Sequence, residues 1–172
     1  MSTDIIIIAG KINSGKTSRC KIWINEQKSH KKDIGGILSI PVWRRGEKNT
    51  YYAYDIAREE AVLLATTEPV SPCVRYGRFR FPYSAFQFAE SVISRAAGLR
   101  DLPPKDSIII DEIGPLELEE KGFAPALRML LRSYSGRLIL VTRETHTEKI
   151  CSRFALPCNS YSIITPGEEI PV

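Results

Sequence analysis

Two short, continuously apolar runs are the strongest hydrophobic pattern in the chain. Asp4–Ala9 contains four isoleucines in a row and ends at a glycine, and Ser107–Asp111 contains three isoleucines. β-Branched residues favour strands, and apolar residues on both faces are typical of strands buried within a parallel sheet. We therefore predict a fully buried strand at each of these positions.

The other apolar segments alternate between helical and strand patterns. Over Tyr83–Ala97 the apolar residues recur at helical spacing, and Gly98 follows as a helix terminator. Similar patterns predict further helices over residues 16–28, 123–134 and 147–154, and strands over residues 138–142 and 160–164. This alternation indicates an α/β fold with a mainly parallel sheet and helices on both sides.

The segment after the first predicted helix departs from the alternation. Three predicted strands follow one another there, at Gly35–Ile40, Thr50–Asp55 and Ala61–Thr66, with a hairpin tip at residues 43–49. We predict an antiparallel hairpin insertion at about residues 35–66 within a single domain of residues 1–172. Prolines and arginines predict an irregular loop over Val74–Pro82.

Composition and charge narrow the class of protein. The net charge is +4, and 43% of the residues are hydrophobic and 26% charged, as in ordinary globular proteins. No apolar stretch approaches the roughly 20 residues that span a bilayer. We expect a cytoplasmic protein with no membrane partner and four reduced cysteines. Its weak basicity suits an anionic ligand such as a nucleotide, and does not by itself favour nucleic acid.

A phosphate-binding motif links the first predicted strand to the first predicted helix. Gly10–Thr17 matches G-x-x-x-x-G-K-[ST] at every fixed position. The glycines allow backbone N–H groups to surround phosphates, to which the helix N-terminus adds its partial positive charge. Lys16 is expected to reach the β- and γ-phosphates, and the Thr17 hydroxyl to ligate Mg²⁺. The predicted nucleotide-binding residues are Gly10, Lys11, Ile12, Asn13, Ser14, Gly15, Lys16, Thr17 and Ser18.

Two adjacent acids end the second buried strand. In enzymes with such a loop, the first acid at this point holds Mg²⁺, and Asp111 has this position. Glu112 follows directly and is predicted to act as the general base on the attacking water. A solvated pair of carboxylates would give the same local pattern. The upstream loop favours the catalytic interpretation, and a kinase would not require Glu112.

The string Ile110–Leu118, which reads I-D-E-I-G-P-L-E-L, resembles the signature of a family of small P-loop nucleoside triphosphatases. That family was first described from thermophiles and includes the cancer-related nucleoside-triphosphatase of animals. Gly35–Asp55 resembles its hairpin, and Val74–Ala89 its arginine-bearing loop and helix start. The resemblance covers roughly residues 4–145.

The resemblance implies a RecA-like three-layer P-loop sandwich with an appended antiparallel hairpin, and slow hydrolysis of several nucleoside triphosphates. It supports the roles of Lys16, Thr17, Asp111 and Glu112, and adds Glu117 as a site-shaping residue. The loop interior, residues 11–13, and the charged strand end at residues 142–144 depart from the family's pattern.

Phosphoryl transfer also needs positive charge beyond Lys16 and Mg²⁺. Arg78 and Arg143 are the leading candidates for a catalytic arginine, ahead of Arg75 and Arg80, and Thr142 is a candidate sensor of the γ-phosphate. A solvated basic loop is the alternative interpretation.

The favoured function is Mg²⁺-dependent hydrolysis of ATP or GTP with broad base specificity. One alternative is a nucleoside or small-metabolite kinase whose Val74–Pro82 segment binds the acceptor. The other is a nucleotide-dependent binding module for RNA or protein, using Trp43-Arg44-Arg45, although an ordinary exposed hairpin tip is the simpler interpretation.

Overall fold

A computed structural model describes residues 3–44, 46–99, 102–156 and 160–171. The strands are β1 (Asp4–Gly10), β2 (Ile34–Arg44), β3 (Glu47–Asp55), β4 (Ala61–Thr66), β5 (Cys73–Tyr76), β6 (Phe79–Pro82), β7 (Ser107–Ile113), β8 (Arg137–Arg143) and β9 (Tyr161–Ile164). The helices are α1 (Lys16–Ser29), α2 (Tyr83–Ala96), α3 (Pro115–Leu118), α4 (Ala124–Ser133) and α5 (Thr147–Arg153), and Glu144–His146 form a 3₁₀ turn.

The described strands form one sheet in the order β5-β6-β4-β3-β2-β7-β8-β1-β9. Its second half is parallel, because β7, β8, β1 and β9 pair in parallel and the start of β2 joins them through β7. The two predicted buried strands are β1 and β7, separated in the sheet by β8. The carboxyl ends of these strands therefore meet at one edge, where open α/β sheets bind ligands.

Helices cover both faces of the parallel half, which gives three layers. Ile5 and Ile7 of β1 pack into a core that includes residues of α2 and α4. Ile6 and Ile8 point to the opposite face, where they join Trp23 of α1. The isoleucine run is explained by this arrangement, since successive side chains of a doubly covered strand enter two different cores.

The other half of the sheet is an antiparallel extension. β2 pairs with β7 only over Ile34–Ile37 and then runs on as the antiparallel partner of β3, which β4, β6 and β5 follow. The extension continues to Pro82, beyond the predicted boundary at about residue 66.

The prediction of an irregular loop over Val74–Pro82 is wrong, because this segment is the β5–β6 hairpin, with Gly77 at φ 55° in its turn. Phe79 and Phe81 alternate at strand period, and they are partly buried against the core. The neighbouring prolines and arginines, which favour a loop, obscured that alternation.

Three further details follow from the described ranges. α3 is a single short turn that the sequence did not predict. Cys20, Cys73 and Cys151 are free, and Cys158 lies outside the described residues. Within the described part of the chain, no helix is long and apolar enough to cross a membrane.

Candidate active site

The phosphate-binding motif forms the loop between β1 and α1, as predicted. Gly15 precedes the helix at φ 88°, a conformation that favours glycine. A side chain at Gly10 would meet Ser14 Oγ at 2.6 Å and Pro166 at 3.0 Å, so the loop closes tightly only around a glycine. No described side chain caps the first turn of α1, which leaves its N–H groups available to an anion.

Lys16 bridges the loop from the first turn of α1. Its ammonium group donates to the carbonyl oxygens of Gly10 at 3.0 Å and Lys11 at 2.7 Å. Partial burial lowers the pKa of Lys16, and the nearby carboxylates of Glu112 and Asp111 oppose that shift. The ammonium group is therefore held above the loop and close to both predicted acids.

Asp111 and Thr17 meet across the cleft. The Thr17 hydroxyl donates to Asp111 Oδ2 at 2.8 Å, and the backbone N–H of Ser39 on β2 donates to the same oxygen at 3.1 Å. Burial, followed by the charge of Glu112, raises the pKa of Asp111 to about 7. A cation beside this carboxylate would lower that pKa again.

This pair fits the ligand chemistry of Mg²⁺. Both groups offer oxygen, which this ion prefers, and enzymes usually supply only one or two such ligands while substrate phosphates and water complete the shell. Among the described residues, no group of three or more His, Cys, Asp or Glu side chains could hold a metal. A cation at Thr17 and Asp111 would therefore depend on the phosphates and on water for the rest of its ligands.

A backbone irregularity separates Asp111 from Glu112. The β7–β8 register shifts between Ile110 and Ile113, and Glu112 lies at φ 72°. Asp111 is buried, whereas Glu112 is exposed beside the cleft. Two adjacent residues of a regular strand point to opposite faces, so this bulge allows both carboxylates to reach the same cleft.

Strand register places Thr142 and Arg143 between the loop and the acids. In β8, Thr142 pairs with Ala9 of β1, and Arg143 pairs with Gly10. The Arg143 guanidinium lies 3.5 Å from Glu112 Oε1. The two charges are half exposed, so we expect the ion pair to open readily when a phosphate competes for the arginine.

Two of the other candidate arginines, Arg78 and Arg80, bond to groups outside the phosphate loop and the acidic pair, although Arg78 lines the same cavity as Glu112. Arg78, in the β5–β6 turn, bonds to Glu47 at 3.3 Å and to the Lys48 carbonyl at 3.1 Å. Arg80 donates to the Thr67 carbonyl at 2.6 Å, and Arg75 is exposed on β5. The geometry thus favours Arg143 over Arg78 as the cation nearest the acids.

Glu117 shapes the segment that follows the acids. Its carboxylate is buried and accepts the N–H of Gly114 at 2.7 Å and of Phe123 at 2.9 Å. Gly122 must be glycine, because a side chain there would lie 2.2 Å from Glu117 Oε1. Burial raises the pKa of Glu117 to about 7. Its contacts are with the backbone, which agrees with a positioning role.

The β2–β3 hairpin brings a cation to the phosphate loop that the sequence did not reveal. Lys48 donates to the side-chain oxygen of Asn13 at 2.5 Å, and its ammonium group lies 4.9 Å from the centre of the exposed Trp43 ring. Arg45 lies outside the described residues. The hairpin is therefore folded toward the nucleotide loop, a contact between distant segments that no local pattern encodes.

A cavity of about 320 Å³ lies beside Glu112. Its polar end includes Lys16, Glu112, Thr142, Arg143 and His146, and the rest of its wall is mainly apolar. The aromatic members are Tyr51, Tyr76, Phe79, Phe81, Phe86 and Phe123. They come from segments up to 72 positions apart in the sequence, and so the cavity was not predicted.

The loop, the Thr17–Asp111 pair and the parallel α/β sheet define a P-loop nucleotide-binding protein. The family model described as NTPase matches residues 5–164. The chain therefore belongs to this NTPase family.

Curated relatives carry the name nucleoside-triphosphatase THEP1. The protein from Pyrococcus abyssi is 31% identical over 160 residues, which cover 92% of this chain and 82% of the relative. The protein from Methanothermobacter thermautotrophicus is 31% identical over 140 residues, covering 81% of this chain and 77% of the relative.

Two solved structures have the same fold. THEP1 from Aquifex aeolicus superimposes with a TM-score of 0.70 at 20% identity, covering 94% of this chain and 88% of that one. A human cancer-related nucleoside triphosphatase gives a TM-score of 0.67 at 20% identity, covering 96% and 88%. These matches confirm the predicted P-loop sandwich and the resemblance on which it drew.

Proposed function

We propose that this chain hydrolyses nucleoside triphosphates to the diphosphate and phosphate, with Mg²⁺ as the cofactor. Its membership of the NTPase family supports the class of reaction. The observation that carries the assignment of residues is the hydrogen bond of 2.8 Å between Thr17 and Asp111. It joins the phosphate loop to the acidic pair, so the proposed metal ligands and Glu112 border one cleft.

The loop residues 10–18 bind the triphosphate through backbone N–H groups and the Lys16 ammonium. Thr17 and Asp111 would hold Mg²⁺, which when bound supplies charge neutralisation at the β- and γ-phosphate oxygens. Ser39 keeps the Asp111 carboxylate in place through its backbone N–H. Lys16 leaves its two carbonyl partners to bind the phosphates, which are stronger acceptors.

Glu112 accepts a proton from the attacking water. Its exposed carboxylate borders the cavity, so water can reach it. Arg143 releases Glu112 and turns to the γ-phosphate, where its charge stabilises the transition state. Thr142 lies beside it as a sensor of that phosphate. A catalytic role for Arg78 remains a prediction, and its bonds to Glu47 and Lys48 make it the weaker candidate.

The substrate range is proposed to include ATP and GTP, because the loop grips the phosphates that all nucleoside triphosphates share. The net charge of +4 suits such an anionic substrate. A cytoplasmic location, where these substrates are abundant, also remains a prediction.

Phosphate release tests the proposal directly. The wild type should release phosphate from ATP, GTP, CTP and UTP with Mg²⁺, and chelation of the metal should abolish the release. Glu112→Gln should lower kcat about 10²- to 10⁴-fold, because the general base is lost. Glu119→Gln, at an exposed acid outside the cleft, is the matched control and should keep the wild-type rate.

Nucleotide affinity separates catalysis from binding in this variant. Glu112→Gln should bind Mg²⁺-nucleotide as tightly as the wild type. Wild-type turnover by Glu112→Gln would show that the base lies elsewhere.

A further inference from the structure

The cavity beside Glu112 has a different character from the phosphate loop. Tyr51 and Phe79 meet edge-to-face at 5.5 Å between ring centres, Phe81 stacks on Phe86 at 6.2 Å, and Phe86 meets Phe123 at 6.3 Å. These separations are typical of aromatic clusters. An aromatic ligand in the cavity could pack against these rings in the same edge-to-face or stacked arrangements. The wall is therefore suited to a planar aromatic group.

The cavity is not a place for the base of the bound nucleotide. Of the loop residues 10–18, only Lys16 lines it. Three further polar residues of its lining, Glu112, Thr142 and Arg143, border the position proposed for the γ-phosphate. The cavity therefore continues outward from the terminal phosphate, whereas the base lies at the other end of the triphosphate chain.

One polar group in the wall also needs a partner. Nδ1 of His146 is buried without a hydrogen-bond partner in the described part of the chain. It lies 3.9 Å from the position that a Cβ atom would take if one were added to Gly114. Burial and the charge of Arg143 lower the pKa of His146, which keeps the imidazole neutral. A neutral ring can accept from or donate to a hydroxyl group.

We propose that this cavity binds a small aromatic alcohol, whose hydroxyl group competes with water for the γ-phosphoryl group. The proposal rests on the nucleotide-binding function proposed above. The volume of about 320 Å³ lies within the range of small-molecule sites, which are mostly apolar with a few convergent polar groups. A neutral hydroxyl suits the polar end, because Lys16 and Arg143 are proposed to pair with the phosphate and leave no cation for a charged acceptor.

The transfer balances without a further reactant. The alcohol oxygen forms a new bond to the γ-phosphorus while the bond from that phosphorus to the β–γ bridging oxygen breaks. The hydroxyl proton passes to the Glu112 carboxylate, and the nucleoside diphosphate leaves. The products are a phosphate monoester and the diphosphate, and hydrolysis is the same reaction with water as the acceptor.

The test incubates the full chain and Mg²⁺-ATP with benzyl alcohol, 2-phenylethanol or 2-naphthylmethanol, and measures monoester and inorganic phosphate by ³¹P NMR. Methanol at the same concentration is the control for a hydroxyl group without a ring. We expect the aromatic alcohols to give a ratio of ester to phosphate at least tenfold above that of methanol.

Two cavity variants locate the site. Leu64→Phe places a ring at the cavity wall, and Ala65→Leu adds a larger increment of side-chain volume there. Each should lower the ratio at least tenfold if the folded fraction, checked by circular dichroism, is retained. Ile163→Phe, at an exposed position of β9, is the matched control and should leave the ratio unchanged.

The outcomes distinguish this inference from the proposed function. Phosphate release without any ester, inhibition of release without ester, or an unchanged ratio in both cavity variants would overturn the acceptor site and leave hydrolysis intact. If neither ester nor phosphate forms, the proposed function fails and the acceptor site fails with it.

Discussion

Replacement of Asp111 by Asn should make the metal-free protein more stable while it weakens the binding of Mg²⁺-nucleotide. The ionised carboxylate is 1% exposed, and burial with the charge of Glu112 raises its pKa from 3.8 to about 7. Asn has the same shape and can keep its oxygen at the position that accepts Thr17 and Ser39. The substitution therefore removes the buried charge and preserves both hydrogen bonds.

Proton linkage gives the sign and the size of the change in the free energy of unfolding. Below pH 3.8 Asp111 is protonated in both states and changes nothing. Between pH 3.8 and about 7 the unfolded chain releases a proton that the folded chain keeps, so the free energy of unfolding falls as the pH rises. Above pH 7 the loss is complete, and a shift of about 3 pKa units corresponds to as much as about 4 kcal/mol. Asp111→Asn does not lose this stability, because Asn does not ionise.

Urea unfolding in a chelating buffer measures the effect at pH 5 and pH 8.5. The stability advantage of Asp111→Asn should be larger at pH 8.5, by about 2–4 kcal/mol, with an unchanged denaturant slope. Asp33→Asn is the control, because that side chain is 69% exposed and its change should stay within about 0.5 kcal/mol. An advantage of the same size at both pH values, or a loss of stability at pH 8.5, would refute the reasoning.

Mg²⁺ and a non-hydrolysable triphosphate should reduce the stability advantage of Asp111→Asn. Ligand at 100 times its Kd stabilises the wild type by about 2.7 kcal/mol, and Asp111→Asn should gain far less at the same concentration.

Three further predictions concern a buried ion pair, a glycine of β2 and a proposed metal ligand. Arg95→Ala should lower the free energy of unfolding by about 3–5 kcal/mol, because it leaves the fully buried charge of Asp55 without its ion pair; urea unfolding measures this. Gly36→Ala should cost at least about 2 kcal/mol in the same assay, since the new Cβ would lie 2.0 Å from the Ile109 carbonyl oxygen at φ 106°. Thr17→Ala should abolish the tightening of nucleotide binding by Mg²⁺ while metal-free binding persists, and calorimetry with and without the metal would detect it.

The parallel half of the sheet could be predicted because each of its signals is local. The isoleucine runs, the glycine spacing of the loop and the stripe of α2 all lie within a single element. The predicted helix at residues 123–134 differs from α4 by one residue at each end. Such patterns depend on burial of one face or both, and burial is what local hydrophobicity reports.

The antiparallel extension and the cavity could not be predicted in the same way. Tyr51 of β3 and Phe123, which directly precedes α4, line one cavity although 72 positions separate them in the sequence. The approach of Lys48 to Asn13 likewise depends on the bend of a long hairpin. These contacts join distant segments, and their energies depend on tertiary geometry rather than on any periodic pattern.

The bulge at Glu112 lies between these two cases. The sequence shows adjacent acids and predicts that both serve one cleft, but regular strand geometry would point them apart. The left-handed conformation of Glu112 allows both carboxylates to face one cleft. The residue types at these positions do not predict that conformation. A strained backbone of this kind is common at functional sites.

Calorimetric titration with a non-hydrolysable ATP analogue and Mg²⁺ tests the central claim that the loop at residues 10–18 holds the triphosphate. The wild type should bind one equivalent, and Lys16→Ala should weaken the affinity at least tenfold, which corresponds to about 1.4 kcal/mol. Lys21→Ala, at an exposed position of α1, should bind as the wild type does. Absence of binding to the wild type, or equal affinity in Lys16→Ala, would contradict the account.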